Sequence, residues 1–402
     1  MTTALDVYLG EALVGRLARN ELAEMVFGYT RAWRERVDAV PLSHSLPLRE
    51  EPFRQKEWVG YFAGLAPKGE WRSGAGDRPG GTESDFALLE ALGGDCPGAV
   101  TFLSQGATPL QTKARYRVLA DAELARLLRD RLSLAEGAEQ LAVRLEAGNI
   151  GLPLAGAASS HILYPVLASD PDILHNRVLC LALAARVGLA AAGTIIGRVA
   201  DISYLLVARG DRWLDGKGVL HRLQREDFCQ ALGKARQMTD GNPGGSTVKD
   251  CFDLLRSASS LPVLDLGALL DALIFHLIIG NHNVHAEQFA LLYSAANGTR
   301  LAPLEDLVAS VNRRQLDNEL AIRIGGEAEA ERVALANLES LAGAAGLAKP
   351  LVKRRVADFA RRVLAAIDTI DKPAASSKRL ATGVAERCKG VIARFERVAE
   401  PD

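Results

Sequence analysis

The run Gly280-Asn281-His282-Asn283-Val284-His285-Ala286-Glu287-Gln288-Phe289 sets a series of polar side chains at the end of an apolar stretch. Polar groups crowded there need partners or a ligand. His282 and His285 stand at i, i+3 and could share a face, which raises a metal site. No cysteine lies close by and no carboxylate ligand can be assigned from spacing. Capping and core hydrogen bonding are therefore the plainer account. Eighteen positions after Gln288, Asp306 closes the run LAPLED (Leu301–Asp306) behind a turn at Asn297-Gly298. A hairpin there would bring the two segments into one site. Taken alone, such a carboxylate is a helix cap or a solvated group.

Three other polar runs have ordinary readings. HRLQREDFCQ (His221–Gln230) reads as a helix start, with acidic residues favoured in the first turn by the helix dipole. RGDRW (Arg209–Trp213) reads as a turn after a strand. Lys353, Arg354, Arg355, Arg361 and Arg362 form a basic stripe on a helix. A solvated face is its default, and a contact to nucleic acid or a partner is the alternative. Gly74, Gly76 and Gly80 suggest a phosphate loop. No strand precedes them and no Lys-Ser/Thr follows, so an ordinary loop is expected.

The elements that must position these residues follow from periodicity. Leu5, Val7 and Leu9 alternate before Gly10-Glu11, and Leu13 to Leu17 continue, which predicts a hairpin. Val26 to Tyr29 begins another strand. Thr82 looks like an N-cap, with a helix running through Leu92 to Gly93-Gly94-Asp95. This first unit closes near Gln105. A second unit opens with a helix over 121–131, then strands over 141–145, 160–163, 194–199 and 204–207, with a helix over 175–187 between them. From Arg225 the pattern turns helical: 226–232, 248–257, 266–279, 328–346, 349–369 and 376–399. That is the chain order of a small sheet lobe followed by a helical lobe, an α+β arrangement.

Composition fits this reading. The chain has 402 residues, 48% hydrophobic and 24% charged, with net charge -1. It has material for two or three domains, and any nucleic-acid contact would need a local patch. Five scattered cysteines suggest a reducing compartment and buried thiols. No apolar signal core stands at Met1 to Leu13. No weakly charged stretch supplies the ~18 uninterrupted apolar residues of a membrane span. A soluble cytoplasmic protein is expected.

Together, several of these segments resemble the HipA family, kinase-fold toxins of bacterial toxin–antitoxin pairs. The resemblance rests on LDVYLGEALVGRL (Leu5–Leu17), PLSHSLPL (Pro41–Leu48), YFAGLAPKG (Tyr61–Gly69), ALLEALGGDCPGAVTF (Ala87–Phe102), HILYP (His161–Pro165), ARGDRW (Ala208–Trp213), RLQREDFCQALG (Arg222–Gly233), IGNHNVHAEQF (Ile279–Phe289) and LAPLED, in the family's order. It implies a small N-terminal α+β domain, residues 1–105, packed on a two-lobed kinase-like core, residues 121–402, with a large helical C-terminal lobe. It also implies transfer of the ATP γ-phosphoryl, with Mg²⁺, to a protein serine or threonine, and restraint by a helix-turn-helix antitoxin.

The resemblance also shows where this chain departs. The family's phosphate loop reads S-x-x-G-A-Q-x-K. Here Ser133 keeps the serine, Glu136 replaces the glycine and Gln140 replaces the lysine. The ATP lysine of H-I-x-K is Tyr164, and its acidic partner in the next helix is Arg177, after Asn176. In G-N-x-D-x-H-x-K-N, Asn283 replaces the catalytic aspartate, Glu287 the lysine and Gln288 the magnesium-binding asparagine. Asp306 matches the second metal-binding aspartate, while Glu305 stands where an aromatic is usual. An amide cannot accept a hydroxyl proton as a carboxylate does. A HipA-like pseudokinase acting mainly by protein binding is the expectation, with an antitoxin-like helix-turn-helix protein or a paralogous kinase as partner. The alternatives are an enzyme of altered chemistry using Asp306, Glu136, Glu139 and Glu287, or a weakly active kinase.

Overall fold

The computed structural model describes residues 4–19, 24–65, 89, 94–109, 116–132, 140–154, 156–166, 172–234, 245–294, 296–309, 319–372 and 374–396. The helix expected from Thr82 and the loop over 72–81 lie outside these residues, Leu89 excepted. The first sheet has the order β4-β3-β2-β1-β5 and is built from β1 (Ala4–Leu9), β2 (Ala12–Arg19), β3 (Met25–Tyr29), β4 (Phe53–Arg54) and β5 (Val100–Ser104). The expected β1–β2 hairpin forms, and Gly10 turns it at φ 61. After α1 (Arg31–Arg34), α2 (Gln55–Ala63) buries Trp58, Tyr61 and Phe62. Their rings pack with Phe27, Phe53 and Phe102 in one aromatic core.

The second sheet has the order β10-β11-β9-β7-β8-β6, with β6 (Tyr116–Val118), β7 (Leu141–Glu146), β8 (Asn149–Pro153), β9 (His161–Pro165), β10 (Thr194–Val199) and β11 (Ile202–Ala208). Helix α3 (Asp121–Leu132) packs Leu124, Ala125 and Leu128 on Val143, Leu163 and Leu206. Helix α4 (Asp172–Arg186) crosses between β9 and β10. A small pair, β12 (Arg212–Leu214) and β13 (Leu220–Arg222), leads to β14 (Gln224–Asp227) and α5 (Phe228–Ala231).

The helical lobe follows: α6 (Val248–Ala258), α7 (Pro262–Ile279), α8 (Leu335–Ala345), α9 (Lys349–Ile367) and α10 (Ala375–Glu396). Strands β15 (Ala290–Ser294) and β16 (Gly298–Leu301) join β14 in a three-stranded sheet, and β17 (Glu319–Ile324) pairs β18 (Glu327–Glu329). Helix α7 is apolar nearly all round because it is the lobe's central helix. By length and composition it could cross a membrane, yet here it is mostly buried in the protein core. Its two acidic residues have matched arginines: Asp265 meets Arg300 at 2.9 Å and Asp271 meets Arg355.

Two expected helices are corrected. Residues 224–227 form strand β14, paired to β15, so only Phe228–Ala231 of the expected 226–232 helix is helical. Pairing with β15 overrides a local pattern that Asp227 and Gln230 also satisfy as a capping box. Residues 327–332 form β18 and a 3-10 turn, and the helix starts at Leu335 rather than near 328. The Gly325-Gly326 turn, with φ 56 and 85, directs the chain back along β17.

The first unit meets the core through buried polar groups. Asp211 accepts the Gly98 amide at 2.6 Å and pairs with Arg209 at 2.8 Å and Arg212 at 2.9 Å. Arg212 also reaches Asp95 at 3.0 Å and the carbonyl of Gly98 at 3.0 Å. Arg222 adds a contact to Asp95 at 3.5 Å. Burial opposes ionisation of Asp211, but Arg209 and Arg212 beside it hold the carboxyl well below the usual range. RGDRW does turn the chain after β11, and its Arg209, Asp211 and Arg212 side chains form a buried clasp while Trp213 is exposed. Farther along, Glu226 accepts from the Ser43 hydroxyl, the His44 amide and the Tyr293 hydroxyl. Burial pushes its carboxyl up to about 7 against the pull of those three donors.

Removing one member of a buried ion pair strands the rest. Asp211→Ala leaves Arg209 and Arg212 short of a counter-charge, and a loss of about 3–5 kcal/mol in chemical denaturation is expected. A loss under about 1 kcal/mol, the range of a surface pair, would show that the clasp is not a buried pair.

Candidate functional site

The polar run at 280–289 begins where α7 stops. Gly280 adopts φ 67, the left-handed cap that glycine takes without strain, and its amide closes the helix on the carbonyl side of His276 and Leu277. Arg387 of α10 donates to the carbonyls of Leu277 and Ile278 at 3.0 and 3.2 Å. His276 is buried, and burial pushes its imidazole down to about 3. Its Nδ1 is 3.0 Å from the Asn281 amide nitrogen, which has only hydrogens to offer, so Nδ1 accepts. The loop that follows is held from beneath by this pair.

Asn283 is exposed. Its backbone amide donates to Asn281 Oδ1 at 3.2 Å, and its own Oδ1 lies 2.7 Å from His285 Nε2. His282 is turned elsewhere, 3.9 Å from Glu331. The two histidines therefore do not converge. Among the described residues, no group of three or more His, Cys, Asp and Glu side chains could hold a metal ion. Asn281, Asn283 and His285 are taken up in hydrogen bonds, as the plainer account expects of them.

Asp306 and Gln288 flank the β15–β16 hairpin, which forms with Leu291 opposite Leu301. Gln288 lies in a 3-10 turn, and its Oε1 is buried and accepts no hydrogen bond among the described residues. Asp306 faces α4: its Oδ1 is 3.4 Å from Arg177 Nη1. The Arg177 guanidinium lies over the Tyr164 ring, 4.6 Å from its centroid. Tyr164 sits on β9 between β7 and β11. Burial first, and then the charge of Asp306, push its hydroxyl up to about 12. The next residue back, Asn176, clamps Ala309 through two hydrogen bonds of 2.8 Å, donating to its carbonyl and accepting its amide. Gln140 is exposed immediately before β7. Ser133, Glu136 and Glu139 lie outside the described residues.

Tyr164, Arg177 and Asp306 therefore form one contact chain, and its middle member is a cation supplied by the protein. No spacing rule marks Arg177 as an ion-pair partner of Asp306, because the two are 129 positions apart and meet only when α4 packs beside the hairpin. Of the positions the resemblance assigns to ATP and Mg²⁺, Gln140 and Tyr164 carry no positive charge, and Arg177 stands 3.4 Å from Asp306. Asp306 Oδ1 faces that guanidinium without a hydrogen bond among the described residues, and Gln288 keeps the amide oxygen of the asparagine it replaces.

Comparison with known proteins agrees with the arrangement of lobes. Residues 5–103 match the HipA N-terminal domain model, and residues 130–367 match that of the HipA-like C-terminal domain. A putative kinase of Sinorhizobium fredii, Y4mE, is 35% identical over 415 residues, covering 96% of this chain and 97% of its own. This chain belongs to the HipA family.

Other relatives extend the match. The serine/threonine-protein kinase toxin HipA of Shewanella oneidensis is 24% identical, over 91% of this chain and 89% of its own length. A solved structure of the Shewanella oneidensis toxin–antitoxin system HipA, HipB and operator DNA superimposes with a TM-score of 0.84. It covers 99% of this chain and 100% of that one at 21% identity, a likeness of fold. The sheet lobe with its helical lobe is thus the HipA kinase-like fold, of α+β class.

In this HipA-family chain the buried His276 leaves a measurable trace. Its folded form stays neutral down to about pH 3, whereas the unfolded chain takes up a proton near pH 6.5. The stability it confers is therefore full above pH 6.5 and is lost as pH falls toward 3, by at most about 1.4 kcal/mol per pH unit. Urea titrations at pH 7.5 and 5 should show the wild-type chain losing about 2 kcal/mol more than His276→Gln over that interval. Parallel losses in the two proteins would contradict a neutral buried imidazole.

Proposed function

We propose that this chain is a HipA-like pseudokinase of a toxin–antitoxin-type system, acting mainly by binding another protein in the cytoplasm. The observation that carries this reading is Arg177, which pairs with Asp306 and covers Tyr164 where the resemblance expects a lysine, its glutamate partner and a magnesium ligand. Asn283 in place of the catalytic aspartate and Gln288 in place of a metal-binding asparagine point the same way. We read the chain as an N-terminal domain over 1–105 and a kinase-fold core over 121–402. A fold that has given up its chemistry acts through its surface.

The favoured partner is a helix-turn-helix protein of the antitoxin kind, because the solved Shewanella oneidensis HipA is found with HipB and operator DNA. A paralogous kinase is the other candidate. The basic stripe on α9 is a poor choice for the contact surface. Arg355 is tied to Asp271, Arg362 lies over Phe359 and donates to the Val187 carbonyl, and Arg361 pairs with Asp358. Three of the five basic residues are thus already paired, and Arg355 and Arg362 are held against the lobe itself. Of the acids that an enzyme of altered chemistry would use, Glu136 and Glu139 lie outside the described residues, and Asp306 faces Arg177.

Calorimetry with ATP and Mg²⁺ should give no binding in the micromolar range, and micromolar affinity would overturn the reading. Asn283→Asp alone should not restore phosphoryl transfer, since residues of one site act as a unit. Radiolabel passing from ATP to that variant or to a lysate protein would refute this. Co-expression with the product of the adjacent reading frame should yield a complex in size-exclusion chromatography that persists with charge reversal at Arg354 and Arg361. Separate elution at micromolar concentration would count against the binding role.

A further inference from the structure

Glu305 stands between the clasp that holds the first unit and the contact chain at Asp306. Its Oε1 accepts the Gly210 amide at 2.8 Å, and its Oε2 is 3.0 Å from Arg225 Nη2. Gly210 is flanked by Arg209 and Asp211. Arg209 donates to the Cys96 carbonyl at 3.1 Å and lies 3.6 Å from Asp95, while Asp211 takes the Gly98 amide. The two residues that grip 95–98 thus hold between them the amide that grips Glu305. A Cβ on Gly210 would come within 3.0 Å of Glu305 Oε1, so the close approach depends on glycine there.

On either side of Glu305 the chain is pinned. The Leu304 amide donates to Ala190 O at 2.9 Å, and Leu304 O accepts the Ala192 amide at 2.8 Å. Asp306 meets Arg177, and Ala309 meets Asn176. Glu305 therefore has little room to move without moving Asp306 as well. An aromatic residue, which the resemblance leads one to expect at 305, offers no carboxylate to accept the Gly210 amide and pair with Arg225.

We propose that Glu305 couples the seating of the first unit to the placement of Asp306, so that a partner which shifts residues 95–98 also loosens the Arg177–Asp306 contact. The link depends only on these contacts and stands apart from whether phosphoryl transfer is lost. Proximity alone does not establish coupling, and a double-mutant cycle does.

Hydrogen exchange of the full chain, read on peptides covering 302–309, is the test. Asp95→Asn should speed exchange there about fivefold or more. It should add nothing further in a Glu305→Gln background. Gly210→Ala changes no charge and should speed exchange in the same peptides, which keeps the test readable if Asp95→Asn fails to fold. Asp271→Asn, which loosens the Arg355 pair in the helical lobe, should leave them unchanged. Native exchange in both Asp95→Asn and Gly210→Ala would overturn the proposal. So would full additivity of Asp95→Asn and Glu305→Gln, or an equal acceleration by Asp271→Asn.

Discussion

Charges taken out of water must be matched inside the protein, and this chain buries several of them where its first unit meets the core. Arg209, Asp211 and Arg212 are buried side by side, with Asp95 and Arg222 completing the set. Each guanidinium makes bonds to backbone carbonyls as well as to carboxylates, including those of Cys96 and Gly98. Such a set has few satisfactory arrangements, because moving one member strands another. It therefore fixes the orientation of residues 95–98, the root of the β12–β13 pair and the backbone at Gly210 together.

The same economy of charge governs the cleft. By resemblance, a lysine and a glutamate would face each other there. Tyr164 and Arg177 take their places, and the exchange turns an ion pair into a ring with a guanidinium over it. The guanidinium needs an anion, and Asp306 supplies one at 3.4 Å. Arg177 and Asn176 are adjacent on α4 and hold Asp306 and Ala309 respectively, so one turn of helix secures the segment after the hairpin. The acid matched to a metal ligand thus stands beside a cation of the protein's own.

Much of the architecture was legible along the chain. The first hairpin, α3, the strands β7, β9, β10 and β11, and α6, α7, α9 and α10 follow hydrophobic periodicity closely, whereas the short β6 and β8 carry no such pattern and were not expected. The failures occurred where local and long-range preferences compete. Residues 224–227 carry a good helix-start signal, but β15 offers a strand partner and Glu226 is wanted at the interface by Ser43, His44 and Tyr293. The residues before Leu335 look helical by composition, but Gly325-Gly326 turns them back on β17.

The sequence alone determined the family, through the order of its segments. Through the resemblance it also implied departures at Gln140, Tyr164, Arg177, Asn283, Glu287 and Gln288. Residue type says which charges have been lost or gained; it does not say where a gained charge goes. That Arg177 reaches Asp306, that Glu305 takes the Gly210 amide, and that Arg209, Asp211 and Arg212 form a buried clasp were decided by tertiary structure. The physical reason is distance along the chain: each contact joins segments 95 to 129 residues apart or crosses from the first unit to the core. Only the packing of α4, the β15–β16 hairpin and the first unit brings those groups within reach of one another.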